Sequence, residues 1–228
     1  MATSPLLPSL DAQHPRSMAD QVFDLLYDRI INLTLSPGTK LSEAEVATQL
    51  GVSRQPVRDA FYRLSQLGFI QIRPQRATTV TPISKEAILQ AYFIRSALEE
   101  ATMRVAAQKL DASHFVALHD ILTLQEDALR ADDKIGFHAL DDQFHHDICT
   151  YAGLGFGWTL IKDNKGHMDR ARYLSLSFGA PRVLTEHHDI LAALKARDSD
   201  MAAAAAKHHL GHIGEIIDWL QANQPEVF

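Results

Sequence analysis

The sequence predicts a mainly α-helical chain in two parts: a small helical domain closed by a two-stranded hairpin, then an antiparallel six-helix bundle. Three observations predict it. Residues 41–67 hold two short amphipathic helical patterns separated by Gly51, and residues 69–81 hold two runs of strand-forming residues. From residue 84 onward, apolar residues recur three and four apart with no strand pattern.

Residues 1–17 carry three prolines and little charge, without the basic start and continuous apolar core of a secretory signal, so they are expected to be a flexible N-terminal segment. The first helix spans 18–33, with Met18, Val22, Phe23, Leu26, Ile30 and Leu33 at helical spacing and Asp20, Asp24 and Asp28 opposite. Ser36-Pro37-Gly38 is a turn signal. The second helix starts after Ser42, which caps it with Glu45 in the capping-box position, and Gly51 suits the left-handed turn that follows. The third opens on Ser53 with Pro56 in its first turn, where a missing N–H costs little, and ends at Gly68. Phe69–Arg73 and Thr78–Thr81 are then two strands around Pro74-Gln75-Arg76-Ala77. Arg54 and Arg58 lie one turn apart on one helix face, so both can reach a groove together. That order of parts is a winged helix-turn-helix, and it points to DNA.

Charge supports this despite a net value of −6. Residues 51–80 hold arginines 54, 58, 63, 73 and 76 against Asp59, a local balance of +4, whereas residues 83–228 balance at −7. A small basic face on an acidic body neutralises phosphates locally while the rest stays away from DNA. There is no apolar run of transmembrane length, and a single cysteine, Cys149, has no internal disulfide partner. Both fit a reducing cytoplasm, with Cys149 a packed thiol.

The helical segments of the bundle are expected at about 84–108, 112–130, 134–151, 157–178, 182–197 and 199–222, with a break at Gly179-Ala180-Pro181. Three His-His pairs stand out, and adjacent residues point about 100° apart on a helix, so one of each pair at most faces the core. Phe137, Leu140, Phe144 and Ile148 define a buried stripe flanked by Asp141 and His145; His187 lies within the stripe of Val183, Ile190, Leu191 and Leu194; and His209 sits beside Ala202, Ile213, Ile216 and Leu220. Asp141, His145, His187 and His209 are therefore the inward set. One carboxylate and three imidazoles suit a divalent transition metal, Zn²⁺ first, with Ni²⁺ or Mn²⁺ as the other candidates. The plainer alternative is a set of hydrogen-bonded core residues, each needing its own partner.

Residues 18–82 resemble the winged helix of GntR-family bacterial regulators, through Pro37-Gly38, Leu41-Ser42-Glu43 and Gly51-Val52-Ser53-Arg54-Gln55-Pro56-Val57-Arg58. The resemblance implies DNA contact by Arg54 and Arg58, with Ser53 and Gln55 reaching backbone or base edges and Arg76 at the wing tip. Gln55 stands where the family often has Thr, and Arg76-Ala77 where it usually has Arg-Gly. Residues 83–222 are similar to the FCD ligand-binding domain of the family's FadR branch, through Arg95-Ser96-Ala97-Leu98-Glu99, Asp141 to His145, Glu186 to Ile190 and His209-Leu210. Gly153-Leu154 departs from the usual Gly-Asn. Six rather than seven helices resembles the VanR-like subgroup. The resemblance implies that the inward Asp and three His are metal ligands, and that Arg95 lies near an effector pocket.

The expected organisation is thus 1–17 as lead-in, 18–82 as the DNA-binding domain and 83–228 as the effector- and metal-binding domain. A small carboxylate fits a metal beside basic side chains, with Arg95, Asn164 and Arg172 as its candidate contacts. For Arg95 the alternative is an ion pair with Glu99; for Asn164 and Arg172 it is a surface or helix contact. The expected function is a repressor that binds a short palindromic operator in double-stranded DNA as a homodimer and is released by the effector. A metal-sensing regulator is one alternative. A metal-dependent hydrolase with an accessory DNA-binding domain is another, although no His-Glu-x-x-His helix and no second acid or base accompany the four ligands.

Overall fold

The structure is a computed structural model that describes residues 16–73 and 77–228. Its contacts divide the chain into two compact units, one of residues up to Arg29 with Gly38–Thr81, the other of Ile30–Pro37 with Pro82–Phe228.

In the first unit, α1 (Met18–Ile31) buries Val22 and Leu26, two of the apolar positions that define its stripe. β1 (Lys40–Leu41) leads into α2 (Glu43–Leu50), where Ser42 Oγ accepts from the Glu45 N–H at 3.4 Å. Gly51 then adopts φ +65°, a left-handed turn that a Cβ would strain. α3 (Arg54–Gln66) buries Val57, Ala60, Phe61 and Leu64. Full burial of each large side chain on that face contributes about 1.5–3 kcal/mol. Ser53 occupies the N-cap position with extended backbone but makes no capping hydrogen bond through its side chain, contrary to expectation.

The wing has a third strand that the pattern does not show. β2 (Ile70–Gln71) and β3 (Thr78–Val80) pair antiparallel, and β1 adds to the other side of β3, with Lys40 opposite Thr79 and Leu41 opposite Thr78. Two residues are too few for a visible alternation; hydrogen bonds from Gly38 N to Val80 O and from Val80 N to Thr39 O, each 2.9 Å, fix the pairing instead.

The second unit is an α-helical bundle of α4 (Lys85–Lys109), α5 (Ala112–Arg130), α6 (Lys134–Tyr151), α7 (Gly155–Asn164), α8 (Gly166–Lys195), α9 (Ser199–Gly211) and α10 (Ile213–Asn223). Met103, Leu118, Leu122, Phe144, Ile148 and Ile190 lie at its centre. Two boundaries differ from expectation. The chain breaks at Lys165 rather than at Pro181, and α8 continues through Pro181. A proline inside a helix costs about 3 kcal/mol or more. Packing offsets that cost here, because Ala180, Val183 and Leu184 close on Phe137. At Lys165 the buried ammonium reaches Asp142 Oδ2 at 2.8 Å and donates to Asp169 Oδ2, which anchors the turn. The second difference is a division of 199–222 at His212, which gives seven helices where the pattern gives six. No helix among the described residues is long and apolar enough to cross a membrane.

Candidate metal centre and nucleic-acid interface

α6 places Asp141 and His145 one turn apart, α8 contributes His187 and α9 contributes His209; all four side chains are buried. Each offers one ligand-type atom, and these atoms lie within 4.8 Å of one another. The rings pack edge and face, with centroid separations of 5.2 Å for His145–His187, 5.2 Å for His145–His209 and 4.7 Å for His187–His209.

Two imidazoles are hydrogen-bonded through Nδ1, and the third is approached there, by residues that the sequence does not mark as their partners. Gln125 Oε1 on α5 accepts from His187 Nδ1 at 2.9 Å, Glu186 Oε2 accepts from His209 Nδ1 at 2.9 Å, and Glu99 Oε2 on α4 lies 2.6 Å from His145 Nδ1. An acceptor at Nδ1 leaves the Nε2 lone pair as the donor atom toward the centre. His145 Nε2 and His187 Nε2 are buried without a hydrogen-bond partner, and His187 Nε2 lies 3.4 Å from Asp141 Oδ1. Buried imidazole nitrogens left open beside a carboxylate fit a cation: without one, each would cost about 1–3 kcal/mol. The sequence offers Glu99 as a partner of Arg95 and Glu186 as part of a motif, neither as a partner of histidine, and nothing local marks Gln125.

Protonation states fit the same chemistry. Burial, then His209, hold His187 well below the usual histidine value, and burial likewise lowers His209, so both rings are neutral. Burial would raise Asp141, but the Arg172 guanidinium, the strongest opposing charge, holds its carboxyl well below the usual range. Neutral imidazoles with an ionised carboxylate are the forms that bind metal.

The candidate effector residues separate. Arg172 Nη2 lies 2.6 Å from Asp141 Oδ2 and Nη1 lies 3.5 Å from Asp169 Oδ1. Arg172, Ser175 and His209 also line a cavity of about 50 Å³ beside the centre, whose apolar wall includes Phe137 and Ile213. Arg95 Nε donates to Glu99 Oε1 at 2.6 Å, the ion pair weighed as its alternative, while its buried Nη1 and Nη2 carry no hydrogen bond. Asn164 does not join them. It is exposed, donates to Leu160 O at 2.7 Å and lies outside the cavity lining. Its inward placement assumed one helix over 157–178, and the break at Lys165 removes that phase. Cys149 is buried, which pushes its thiol up to about 12.

In the first unit, Ser53, Arg54, Gln55 and Arg58 are all exposed at the start of α3. Glu43 on α2 holds both arginines: its Oε2 lies 3.9 Å from Arg54 Nη2 and 3.4 Å from Arg58 Nε. Gln55 Nε2 donates to Asp59 Oδ1 at 2.8 Å. Arg63 instead faces α1, 2.7 Å from Asp20 Oδ1 and over the Phe23 ring. Arg76 lies outside the described residues, as do residues 1–15 of the lead-in.

Comparison with known proteins matches residues 18–80 to the family of bacterial regulatory proteins called gntR, and residues 90–212 to the FCD domain. The chain is 37% identical over 210 residues to the HTH-type transcriptional repressor RspR of Escherichia coli K12, covering 91% of this chain and 92% of that one. Among solved structures, Escherichia coli McbR/YncC superposes with TM-score 0.76 at 23% identity, covering 91% of this chain and 99% of that one. A GntR transcriptional regulator from Rhodococcus sp. RHA1 superposes with TM-score 0.72 at 25% identity, covering 88% and 97%.

Proposed function

The chain belongs to the GntR family of bacterial regulatory proteins and is a DNA-binding transcriptional regulator rather than an enzyme; from that premise we propose that it is a cytoplasmic repressor released by a small carboxylate bound beside a metal in the helical unit. A repressor name on a relative 37% identical supports the direction of control. The metal is proposed at Asp141, His145, His187 and His209, and Zn²⁺ is the ion best suited to three imidazoles and one carboxylate. The observation that carries the reading is the convergence of three rings on Asp141, two of them held at Nδ1, against a cavity that Arg172 lines.

When bound, the ion supplies a Lewis-acid position at which a carboxylate can chelate. The chain's own residues do the rest. Arg172 presents a guanidinium to the cavity, and its contacts to Asp141 and Asp169 are those an incoming carboxylate competes for. Arg95 does not line that cavity, and its two Nη groups free of hydrogen bonds make it a second, buried cation for a bound carboxylate. A ligand that favours one arrangement of Arg172 biases the helical unit between two states, and differential binding of about 1–3 kcal/mol is enough to change operator affinity 5–150-fold.

At the reader, Arg54 and Arg58 enter the major groove with Ser53 and Gln55 beside them, and Arg76, outside the described residues, is a further candidate contact. A homodimer would present two such readers to a short palindrome. The test is a gel shift on duplexes selected from a random pool, with metal-stripped protein, Zn²⁺-loaded protein and loaded protein plus a panel of carboxylates. Release by one carboxylate and no response to Zn²⁺ alone supports the reading. A response to Zn²⁺ alone makes the chain a metal sensor instead.

A further inference from the structure

Beside the buried centre, α8 and the end of α9 bring together a second set of ligand-type atoms. We propose that Glu186, His208 and His212 form a second transition-metal site, open to solvent, that shares Glu186 with the buried centre. His208 and His212 are four residues apart across the last turn of α9, so their rings lie on one side, with centroids 4.9 Å apart. Glu186 Oε1 lies 2.7 Å from His212 Nε2 and 3.9 Å from His208 Nε2. One atom from each residue fits within a 4.8 Å span. Ligand atoms about 2.0–2.1 Å from a tetrahedral zinc are separated by about 3.3 Å, so each Glu186 contact needs a change of about 0.6 Å.

The contact at His212 points to a ligand. Its Nδ1 lies 3.3 Å from Glu215 Oε1, and which ring nitrogen carries the proton follows the tautomer. Nε2 is buried and has no hydrogen-bond partner, although a carboxylate oxygen stands 2.7 Å away. A proton on Nε2 can hold that contact, and an ion bound between the two atoms would take the proton's place. Arg182 does not fill the place, since its Nε is 3.8 Å from Glu186 Oε1 and its Nη1 is committed to Glu215 Oε2 at 2.8 Å. The cluster of His138, Asp142 and Asp169 is different, because Lys165 already supplies its cation.

Two imidazoles and one carboxylate select a borderline metal such as Zn²⁺, Ni²⁺ or Cu²⁺ over Mg²⁺ or Ca²⁺. The His208 side chain is 72% exposed and that of His212 15%, so the ion enters from solvent and water completes its coordination. Glu186 Oε2 meanwhile accepts from His209 Nδ1. A cation on Oε1 draws charge from the carboxylate that orients His209, so the two sites oppose each other. This site goes beyond the proposed function, because it requires nothing to be bound at Asp141.

The test is equilibrium dialysis of the tag-free, full-length apoprotein against micromolar free Zn²⁺, with ions per chain counted by elemental analysis. The expected result is two ions for the unaltered chain and one for His208→Ala, an exposed change that leaves the fold intact. One ion in both proteins overturns the proposal. One ion in the unaltered chain and none in His208→Ala supports it while removing the buried metal of the proposed function. An Asp141→Ala, His187→Ala double variant that keeps an ion, then loses it on adding His208→Ala, locates that ion independently.

Discussion

Gln125 Oε1 accepts a hydrogen bond from His187 Nδ1 at 2.9 Å, joining α5 to α8 across 62 positions of sequence. The bond fixes which nitrogen of His187 faces Asp141, so an amide with no charge of its own sets the donor atom of a buried cluster. Removing such an outer partner costs about 10–100-fold in metal affinity. Gln125→Ala is therefore expected to weaken Zn²⁺ binding by that factor in a chelator competition, and Gln125→Glu, which keeps an acceptor, to recover most of it. Equal affinity in all three proteins would remove Gln125 from the site.

Metal removal carries a stability signature. Zn²⁺ at 100 times its Kd stabilises the native state by about 2.7 kcal/mol, and for a chain of this size that raises Tm by about 5–10 °C. In the His208→Ala background, which silences the outer pair, stripping with a chelator should lower Tm by this amount and Zn²⁺ should restore it. The Asp141→Ala, His187→Ala change made in that same His208→Ala background should abolish the response, and a Zn²⁺-dependent Tm there would place the ion elsewhere.

Acid should unfold the helical unit through Asp169. Burial would raise its pKa, but Lys165, His138 and Arg172 hold it well below the usual 3.8. A depressed native value means the unfolded chain binds the proton first, so the stabilisation is complete above about pH 4 and declines as pH falls through the native value. Urea unfolding at several pH values should show stability dropping below about pH 4, and Asp169→Asn should be less stable at neutral pH with a flatter acid limb. An unchanged limb would assign the transition to other carboxylates.

The reader makes a separate prediction. A bidentate arginine–guanine contact is worth about 1–3 kcal/mol, or roughly 5–150-fold in affinity. Arg58→Ala should lose that much binding to a selected operator while metal content and Tm stay unchanged, because the side chain is exposed. An Arg63→Ala protein should bind as the unaltered chain does and melt earlier, since Arg63 packs on Phe23 and pairs with Asp20.

What the sequence disclosed depended on how far apart the interacting residues lie. Ser42, Gly51 and the Arg54–Arg58 pair act within a turn or two of themselves, so cap, turn and spacing were visible. The phase of three apolar stripes turned Asp141, His145, His187 and His209 inward, and these four do converge. Gln125 and Glu99 act on histidines of other helices, and no local pattern encodes such a pairing. Pro181 misled because the local rule for proline is sound, but burial of its neighbours against Phe137 outweighs it. Lys165 misled in the other direction: it is an ordinary helix residue until Asp142 and Asp169 close around it. That single displaced break moved Asn164 to the surface.

Glu43 gives the reader a stand-in for the phosphate backbone. By touching Arg54 and Arg58 together, its carboxylate keeps two long side chains gathered before any duplex arrives, which lowers the rotamer entropy lost on docking. Exposed pairs of this kind hold by about 0–1 kcal/mol, so a groove can take the arginines over at small cost. Random duplex, offering phosphate alone, must compete with a carboxylate already in place. On the proposed DNA-reading role, the internal acid takes the same small free energy from every duplex, and random DNA, bound weakly to begin with, is the first to fall below occupancy.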